Sequence, residues 1–171
     1  PMSPNTETLA ASHDAPPAPP STPAGPAFVD AVDTRYLQTL LGYNARRAAL
    51  TVIDEFVPRM AQFGLRVVDF SILSVIHHNP GITSRQLCAA LALLPPNLVG
   101  KIGALESRGL LARQPHPQDG RALGLHLTAE GQALMARAEA EAVALENDAA
   151  PGLTPAERRT LIRLLQKVYR P

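Results

Sequence analysis

The chain has 171 residues and a formal net charge of +1, so it suits one folded domain and its charge alone does not indicate a nucleic-acid partner. Its single cysteine excludes an intramolecular disulfide and a cysteine cluster for metal binding. No apolar run reaches the roughly 18 residues of a membrane span, and the N-terminus lacks the pattern of a signal peptide. We therefore expect a cytoplasmic protein with no membrane partner.

Residues 1–27 differ in composition from the rest of the chain. They contain eight of the 17 prolines, interspersed with Ala, Ser and Thr. Such a segment buries too little apolar surface to offset the entropy lost on ordering. We predict a disordered tail over residues 1–27 and a folded domain over residues 28–171.

Two helices are predicted at the start of the folded domain. Residues 33–58 carry apolar side chains at steps of three and four, which predicts one long helix. A helix of this length seldom finds enough partner surface inside a small domain, so part of it is expected to pack against a second subunit. Val67 to His78 forms the second helix, which ends before Asn79-Pro80-Gly81 and supplies core residues, namely Phe70, Leu73 and Ile76.

The next segment predicts a helix-turn-helix. Thr83 and Gln86 form a capping box for a short helix that begins at Ser84. Pro95 and Pro96 then open a second helix, which runs to about Arg108, because proline fits the first helical turn. This second helix buries one face, Leu98, Ile102 and Leu105, and exposes another, Asn97, Gly100 and Lys101.

A β-hairpin is predicted immediately after these helices. Gly109 ends the preceding helix, Leu110 to Gln114 forms one strand, and His116 to Gly120 forms a polar turn. Ala122 to Leu127 forms the return strand, in which three leucines share one face: Leu123, Leu125 and Leu127. A hairpin this short needs support from the helices before it. The combination predicts a winged helix-turn-helix, a mainly α fold with a small β-hairpin wing.

This fold suggests how the chain contacts double-stranded DNA. The start of the second helix would enter the major groove, where Asn97 and Lys101, one turn apart, would face the bases. Arg121 at the hairpin tip would enter a minor groove, with Asp119 holding the turn. Arg113 and His116 are placed to meet phosphates. Two alternatives stay open, a merely solvated helix face and a winged helix that binds protein without specific DNA binding.

The C-terminal residues 128–171 predict two more helices. Thr128 caps a helix that runs to about Glu146, and Thr154 with Glu157 forms a capping box for the last one. The last helix has a broad apolar face and a basic face. The apolar residues are Leu161, Ile162, Leu164, Leu165 and Val168.

The strings LESRGLLARQ and DGRALGLHLTAEGQALM resemble the signature of the MarR (multiple antibiotic resistance regulator) family. The matching features are Leu105-Glu106, Gly109-Leu110, Asp119 with Arg121, and Leu127-Thr128 with Gly131. The resemblance implies a homodimeric winged-helix regulator, with the winged helix-turn-helix at residues 66–127 and dimerisation helices at 33–58 and 128–171. It also implies a palindromic operator and DNA contacts by Ser84, Asn97, Gly100, Lys101, Asp119 and Arg121. Pro96 and Arg113 complete the set of candidate DNA-binding residues.

Family members commonly respond to small aromatic or phenolic acids, so the resemblance also implies a repressor released by such an effector. The candidate effector residues are Tyr36, Tyr43, Arg46, Arg47, Phe70, His77 and His78, although each has a purely structural reading as core, interface or helix-end residue. No cofactor, metal or catalytic residue is expected, because no metal-ligand spacing, phosphate loop or nucleophile motif occurs. Cys88 is expected to be a small buried apolar side chain.

The chain departs from the family pattern at three places. Gly120 stands where a second wing arginine is frequent, and Ala92 stands in the turn where glycine is common. The recognition helix is the second helix of the helix-turn-helix. It begins Leu94-Pro95-Pro96-Asn97-Leu98, where Ser and Thr are usual. Fewer hydrogen-bonding groups then face the bases, so DNA shape and the wing are expected to contribute more to sequence discrimination.

Overall fold

The computed structural model describes the backbone of residues 31–116 and 119–170, with all side chains in these ranges except those of residues 116 and 119–121. Residues up to Arg35 form one unit and residues from Tyr36 onwards form another. In the first unit, Arg35 forms an ion pair with Asp33 at 2.9 Å. The tail predicted at residues 1–27 lies outside the described residues.

Helices dominate the described part of the chain, which confirms the predicted mainly α fold with a small wing. The strands are β1 (Ile82–Thr83), β2 (Leu111–His116) and β3 (Asp119–Leu127). The helices are α1 (Arg35–Gln38), α2 (Leu41–Ala61), α3 (Val67–His78), α4 (Ser84–Leu91), α5 (Pro95–Ser107), α6 (Ala129–Ala149) and α7 (Pro155–Tyr169).

The single helix predicted over residues 33–58 is wrong in its bounds. The chain leaves the helix at Thr39 and Leu40, where the side-chain amide of Asn44 donates to the carbonyl oxygens of Gln38 and Leu40, each at 2.8 Å. Helix α2 then continues past Pro58 to Ala61. Proline removes one backbone hydrogen bond, but tertiary contacts offset that loss. Fully buried Met60 packs in the core, and Arg59 pairs with two carboxylates of α6, those of Glu141 and Asp148.

The capping motifs form as predicted. The hydroxyl of Thr83 accepts a hydrogen bond from the backbone of Gln86, and Thr154 does the same for Glu157, so α4 and α7 both begin with a capping box. The Glu157 pKa lies below its ordinary range, because two groups of Thr154 donate hydrogen bonds to its carboxylate. The hydroxyl contributes more than the backbone N–H. Local sequence therefore fixes where these helices start.

The wing is a three-stranded antiparallel sheet of order β1-β3-β2, not the two-stranded hairpin that was predicted. Ile82 and Thr83 of β1 pair with Leu125 and Gly124 of β3. Both long strands reach further towards the tip than predicted, since His116 pairs with Asp119. Leu125 is buried as the alternation predicts, but Leu123 is half exposed because it lies beyond the core.

Two glycines and a threonine hold the wing against α6. Gly109 has a φ of +69°, which glycine adopts without steric cost. The Thr128 backbone N–H donates to the Leu110 carbonyl oxygen at 3.1 Å, and its hydroxyl donates to the Gly109 carbonyl oxygen at 2.6 Å. A Cβ on Gly131 would lie 2.0 Å from the Leu110 carbonyl oxygen, so the first turn of α6 needs glycine there.

The core lies between α3, α5, the sheet and α6. Its members include the predicted Leu73, Ile76, Leu98, Ile102 and Leu105, all buried. Phe70 is half-buried and meets the ring of Phe56 edge-on, with the ring centroids 5.1 Å apart. In contrast, α7 buries no residue in the single chain, and its apolar face is exposed.

Candidate nucleic-acid interface

The helix-turn-helix is formed by α4 and α5, whose axes are bent by 113°. Ala92 makes the turn with a φ of +51°, and it is the one non-glycine residue with positive φ among those described. The Leu93 backbone N–H donates to the Cys88 carbonyl oxygen at 3.0 Å and closes the turn. Ala92 thus adopts the backbone conformation for which glycine is better suited. In the described chain no single helix is long and apolar enough to cross a membrane; only α4 and α5 together meet that test, across their sharp bend.

The recognition helix α5 has one buried and one open face. Leu98, Ile102 and Leu105 anchor it in the core. Pro96, Asn97 and Gly100, which the sequence places on the DNA-reading side, are exposed, and a Cβ on Gly100 would meet nothing within 4 Å. The open face therefore carries little side-chain bulk at Pro96 and Gly100.

Lys101 lies one helical turn from Asn97, but its ammonium group is paired inside the protein, which the sequence does not predict. Its Nζ donates to Asp69 Oδ1 on α3 at 3.2 Å, and its side chain is only 32% exposed. Asp69 is buried, with the Arg66 backbone N–H at 3.4 Å as its second hydrogen-bond donor. A buried carboxylate attracts a neighbouring cation strongly, because it has lost most of its water. Lys101 therefore joins α5 to α3.

Three exposed residues of this surface are not identified by the sequence reasoning. Arg85 follows Ser84 in the first turn of α4; both are exposed, and Arg85 has no hydrogen-bond or ion-pair partner among the described residues. Leu94 and Val99, at the start of α5, are 68% and 63% exposed. The capping box that places Ser84 at the start of α4 also places Arg85 there, so the sequence contains the signal that would have identified Arg85.

The wing residues are described in part. Arg113 is exposed on β2, and its Nε donates to Glu106 Oε2 at the end of α5 at 3.2 Å. Asp119 begins β3, with Arg121 two residues further along. The roles predicted for Asp119, Arg121 and His116 depend on their side chains, which lie outside the described part of the structure.

The candidate effector residues are spread over three helices, α1, α2 and α3. On α1 and α2, Tyr36, Arg46 and Arg47 are exposed, and Tyr43 is half-buried. The His77 and His78 rings meet edge-on, and His78 Nε2 lies 3.1 Å from Glu139 Oε1. An open cavity of about 620 Å³ lies elsewhere, and its lining includes none of these residues. It is lined by Val57, Ala61, Gly64, Leu65, Arg66, Val67, Val68 and Lys101.

Other chemistry has little support in the described residues. Cys88 is half-buried and packs against the hydrophobic core. No group of three or more His, Cys, Asp or Glu side chains in the described part of the chain is placed to hold a metal ion. The helix-turn-helix and wing are thus the features that most clearly suggest a function.

Residues 63–122, which contain the helix-turn-helix and most of the wing, match the MarR family model. The chain is also 32% identical over 131 residues to a transcriptional regulatory protein assigned to the hcr operon of Thauera aromatica, covering 76% of this chain and 79% of that protein. The chain belongs to the MarR family. The family resemblance stated from the sequence motifs is confirmed.

Solved MarR-family structures share this fold. The transcriptional repressor CouR, bound to a 23-mer DNA duplex, superposes with a TM-score of 0.77 at 33% identity, over 82% of this chain and all of CouR. A Mycobacterium tuberculosis MarR family protein in complex with salicylic acid superposes with a TM-score of 0.62 at 30% identity, over 75% of this chain and 96% of that one. The present chain is a DNA-binding transcriptional regulator of this family, which consists of regulators and not enzymes.

Proposed function

We propose that this MarR-family regulator is a homodimeric repressor that binds a palindromic operator and is released by a small aromatic carboxylic acid or its thioester. The open face of α5 is the observation that carries this proposal. Helix α5 lies between an ordered turn and the wing, and its opposite face is buried in the core. In a helix-turn-helix this is the surface that enters the major groove.

The proposed DNA contacts follow from exposure and position. Pro96, Asn97 and Gly100 face the bases, and Ser84 and Arg85 at the start of α4 meet the phosphate backbone, where exposed donors and positive charge are favoured. In the wing, Arg113 meets phosphate, and Arg121 enters the minor groove with Asp119 as its partner. Lys101 keeps a positioning role, because Asp69 already binds its ammonium group.

The proposed dimer uses the apolar surface that the single chain leaves open. On α2, Leu50, Val52, Ile53 and Val57 are each exposed by more than a third. On α7 the exposed set is Leu161, Ile162, Leu164, Leu165 and Val168. Exposed apolar side chains on these helices favour burial against a second copy, and twofold symmetry in the protein requires twofold symmetry in the operator.

The proposed effector class rests on similar proteins and on one cavity. CouR has also been solved with p-coumaroyl-CoA, and the mycobacterial relative with salicylic acid, so both ligands combine an aromatic ring with a carboxyl-derived group. The cavity of about 620 Å³ has the size of a small-molecule site and combines apolar walls with Arg66 and Lys101. A carboxylate bound there would compete with Asp69 for Lys101 and so act directly on the recognition helix.

The experiment is a titration of the full chain against a fluorescent fragment of its own promoter. We expect binding that persists against excess unrelated DNA, weakens as salt rises, and is reversed by salicylate or p-coumaroyl-CoA. Arg121→Ala should cost about 1–3 kcal/mol of binding free energy, whereas Arg159→Ala on α7 serves as the control and should cost little. Absence of binding even at low salt would refute the proposed function.

A further inference from the structure

The recognition helix has an unusual shortage of hydrogen-bonding groups on its open face. In the first two turns of α5, two side chains carry such groups, Asn97 and Lys101. Lys101 is bound to Asp69, so Asn97 is the one such side chain there without an intramolecular partner among the described residues. Pro96 and Gly100 offer no side-chain donor or acceptor. Base reading by hydrogen bonds alone would therefore rest on a single amide.

Apolar side chains occupy the remaining positions of this face. Val99 is 63% exposed, although it belongs to an otherwise well-anchored helix, and Leu94 just before the helix is 68% exposed. At about 100° per residue, Val99 lies about 60° from Pro96 and about 160° from Asn97 around the helix. Val99 and Asn97 thus flank the strip formed by Pro96 and Gly100, one on each side.

We propose that Val99 is a specificity-determining residue that contacts the C5-methyl group of a thymine in the operator. This inference rests on the proposed function and adds the chemistry of one base contact to it. In the major groove of unmodified DNA, thymine alone presents a methyl group, and apolar side chains recognise it. Gly100 supports the contact, because the absence of a side chain beside Val99 lets the helix backbone approach the bases closely.

Deoxyuridine tests this contact, because it differs from thymidine only by the missing methyl group. Operator DNA is first selected from a random duplex library with the full-length protein. Each thymine of the selected site is then replaced singly by deoxyuridine, and affinity is measured at constant salt. At one position per half-site we expect about a fourfold loss, which corresponds to about 0.8 kcal/mol for one buried carbon group.

The Val99→Ala variant makes the assignment specific to this residue. Val99 is largely solvent-exposed, so the variant should fold normally, and the smaller alanine side chain should reduce the fourfold difference between thymine and deoxyuridine operators at that position. Val143→Ala on α6, where the valine is 72% exposed, is the matched control and should keep the fourfold difference. If Val99 instead docked a partner protein, deoxyuridine would have no effect on affinity.

The outcomes separate this inference from the function on which it rests. A selected operator whose affinity is insensitive to deoxyuridine, or equally sensitive with Val99→Ala, would overturn the methyl contact and leave the regulator intact. If no sequence is enriched from the library at low salt, both the proposed function and this contact are refuted.

Discussion

At the scale of single residues, two glycines of this fold differ in what surrounds them. Gly131 lets the Leu110 carbonyl oxygen lie against the first turn of α6, since a Cβ there would be 2.0 Å from that oxygen. Gly100 has no such neighbour, because a Cβ there would meet nothing within 4 Å. A contact inside the protein therefore explains Gly131, whereas no contact inside the protein requires glycine at position 100.

Gly131→Ala should destabilise the folded protein by about 3 kcal/mol, at the upper end of the range for overpacked positions, because the clash is with backbone. Urea unfolding at fixed protein concentration measures the loss. Gly152→Ala is the control: its Cβ would meet nothing within 4 Å, and it should change stability by less than about 0.5 kcal/mol. Equal stability of the two variants would show that α6 does not pack on Leu110 as described.

Gly100→Ala should act in opposite directions on stability and on DNA binding. Replacing glycine by alanine in a helix stabilises it by roughly 0.5–1 kcal/mol. The added methyl group would separate the helix from the bases, so affinity for the operator should fall even as the unfolding midpoint rises. Thermal unfolding and DNA titration of the same variant give both values. Unchanged affinity would mean that this face of α5 does not approach DNA closely.

At the scale of elements, an ion pair between Lys101 and Asp69 joins α5 to α3. Lys101→Met should destabilise the fold by about 1–2 kcal/mol, less than the loss at fully buried pairs, because Lys101 is a third exposed and solvent screens its charge. Adding Asp69→Asn should recover part of that loss, since the unpaired carboxylate is then gone. A double-mutant cycle by urea unfolding measures the coupling. Strictly additive effects would contradict the pairing.

Sequence alone predicts those elements whose signals are local. Thr83 with Gln86 and Thr154 with Glu157 fix helix starts through side chains three residues apart, and Gly109 fixes a helix end through its backbone. The break between α1 and α2 at residues 39–40 is not visible in the apolar periodicity, because apolar spacing continues across it.

Tertiary partners decide the rest of the site. β1 has two residues, too few for a periodic pattern, and exists because β3 is beside it. Lys101 looks like an open-face residue from helical spacing, and only the packing of α3 shows that buried Asp69 takes its ammonium group. The exposure of Val99 follows equally from packing, since apolar residues in a helix are expected in its core.

At the scale of the whole molecule, we expect dimer formation through the exposed apolar faces of α2 and α7 to be required for operator binding. Leu164 is 48% exposed in the single chain, so Leu164→Glu should leave the fold intact. In a dimer it would bury two symmetry-related carboxylates at several kcal/mol each. We expect the dimer dissociation constant to rise at least about a hundredfold, with operator affinity falling alongside.

Sedimentation equilibrium and circular dichroism test this prediction together. Unchanged helix content with a monomeric mass would support α7 as an interface. A stable dimer with an unchanged dissociation constant would show that the interface lies on another surface.

The central claim is that α5 and the wing read DNA sequence in a twofold arrangement. The most direct test compares the affinity of the full chain for its own promoter with that for a shuffled duplex of equal length and composition, at near-physiological salt. We predict that the promoter binds at least about a thousandfold more tightly, with two protein chains per site. Equal affinity for the two duplexes would contradict the claim.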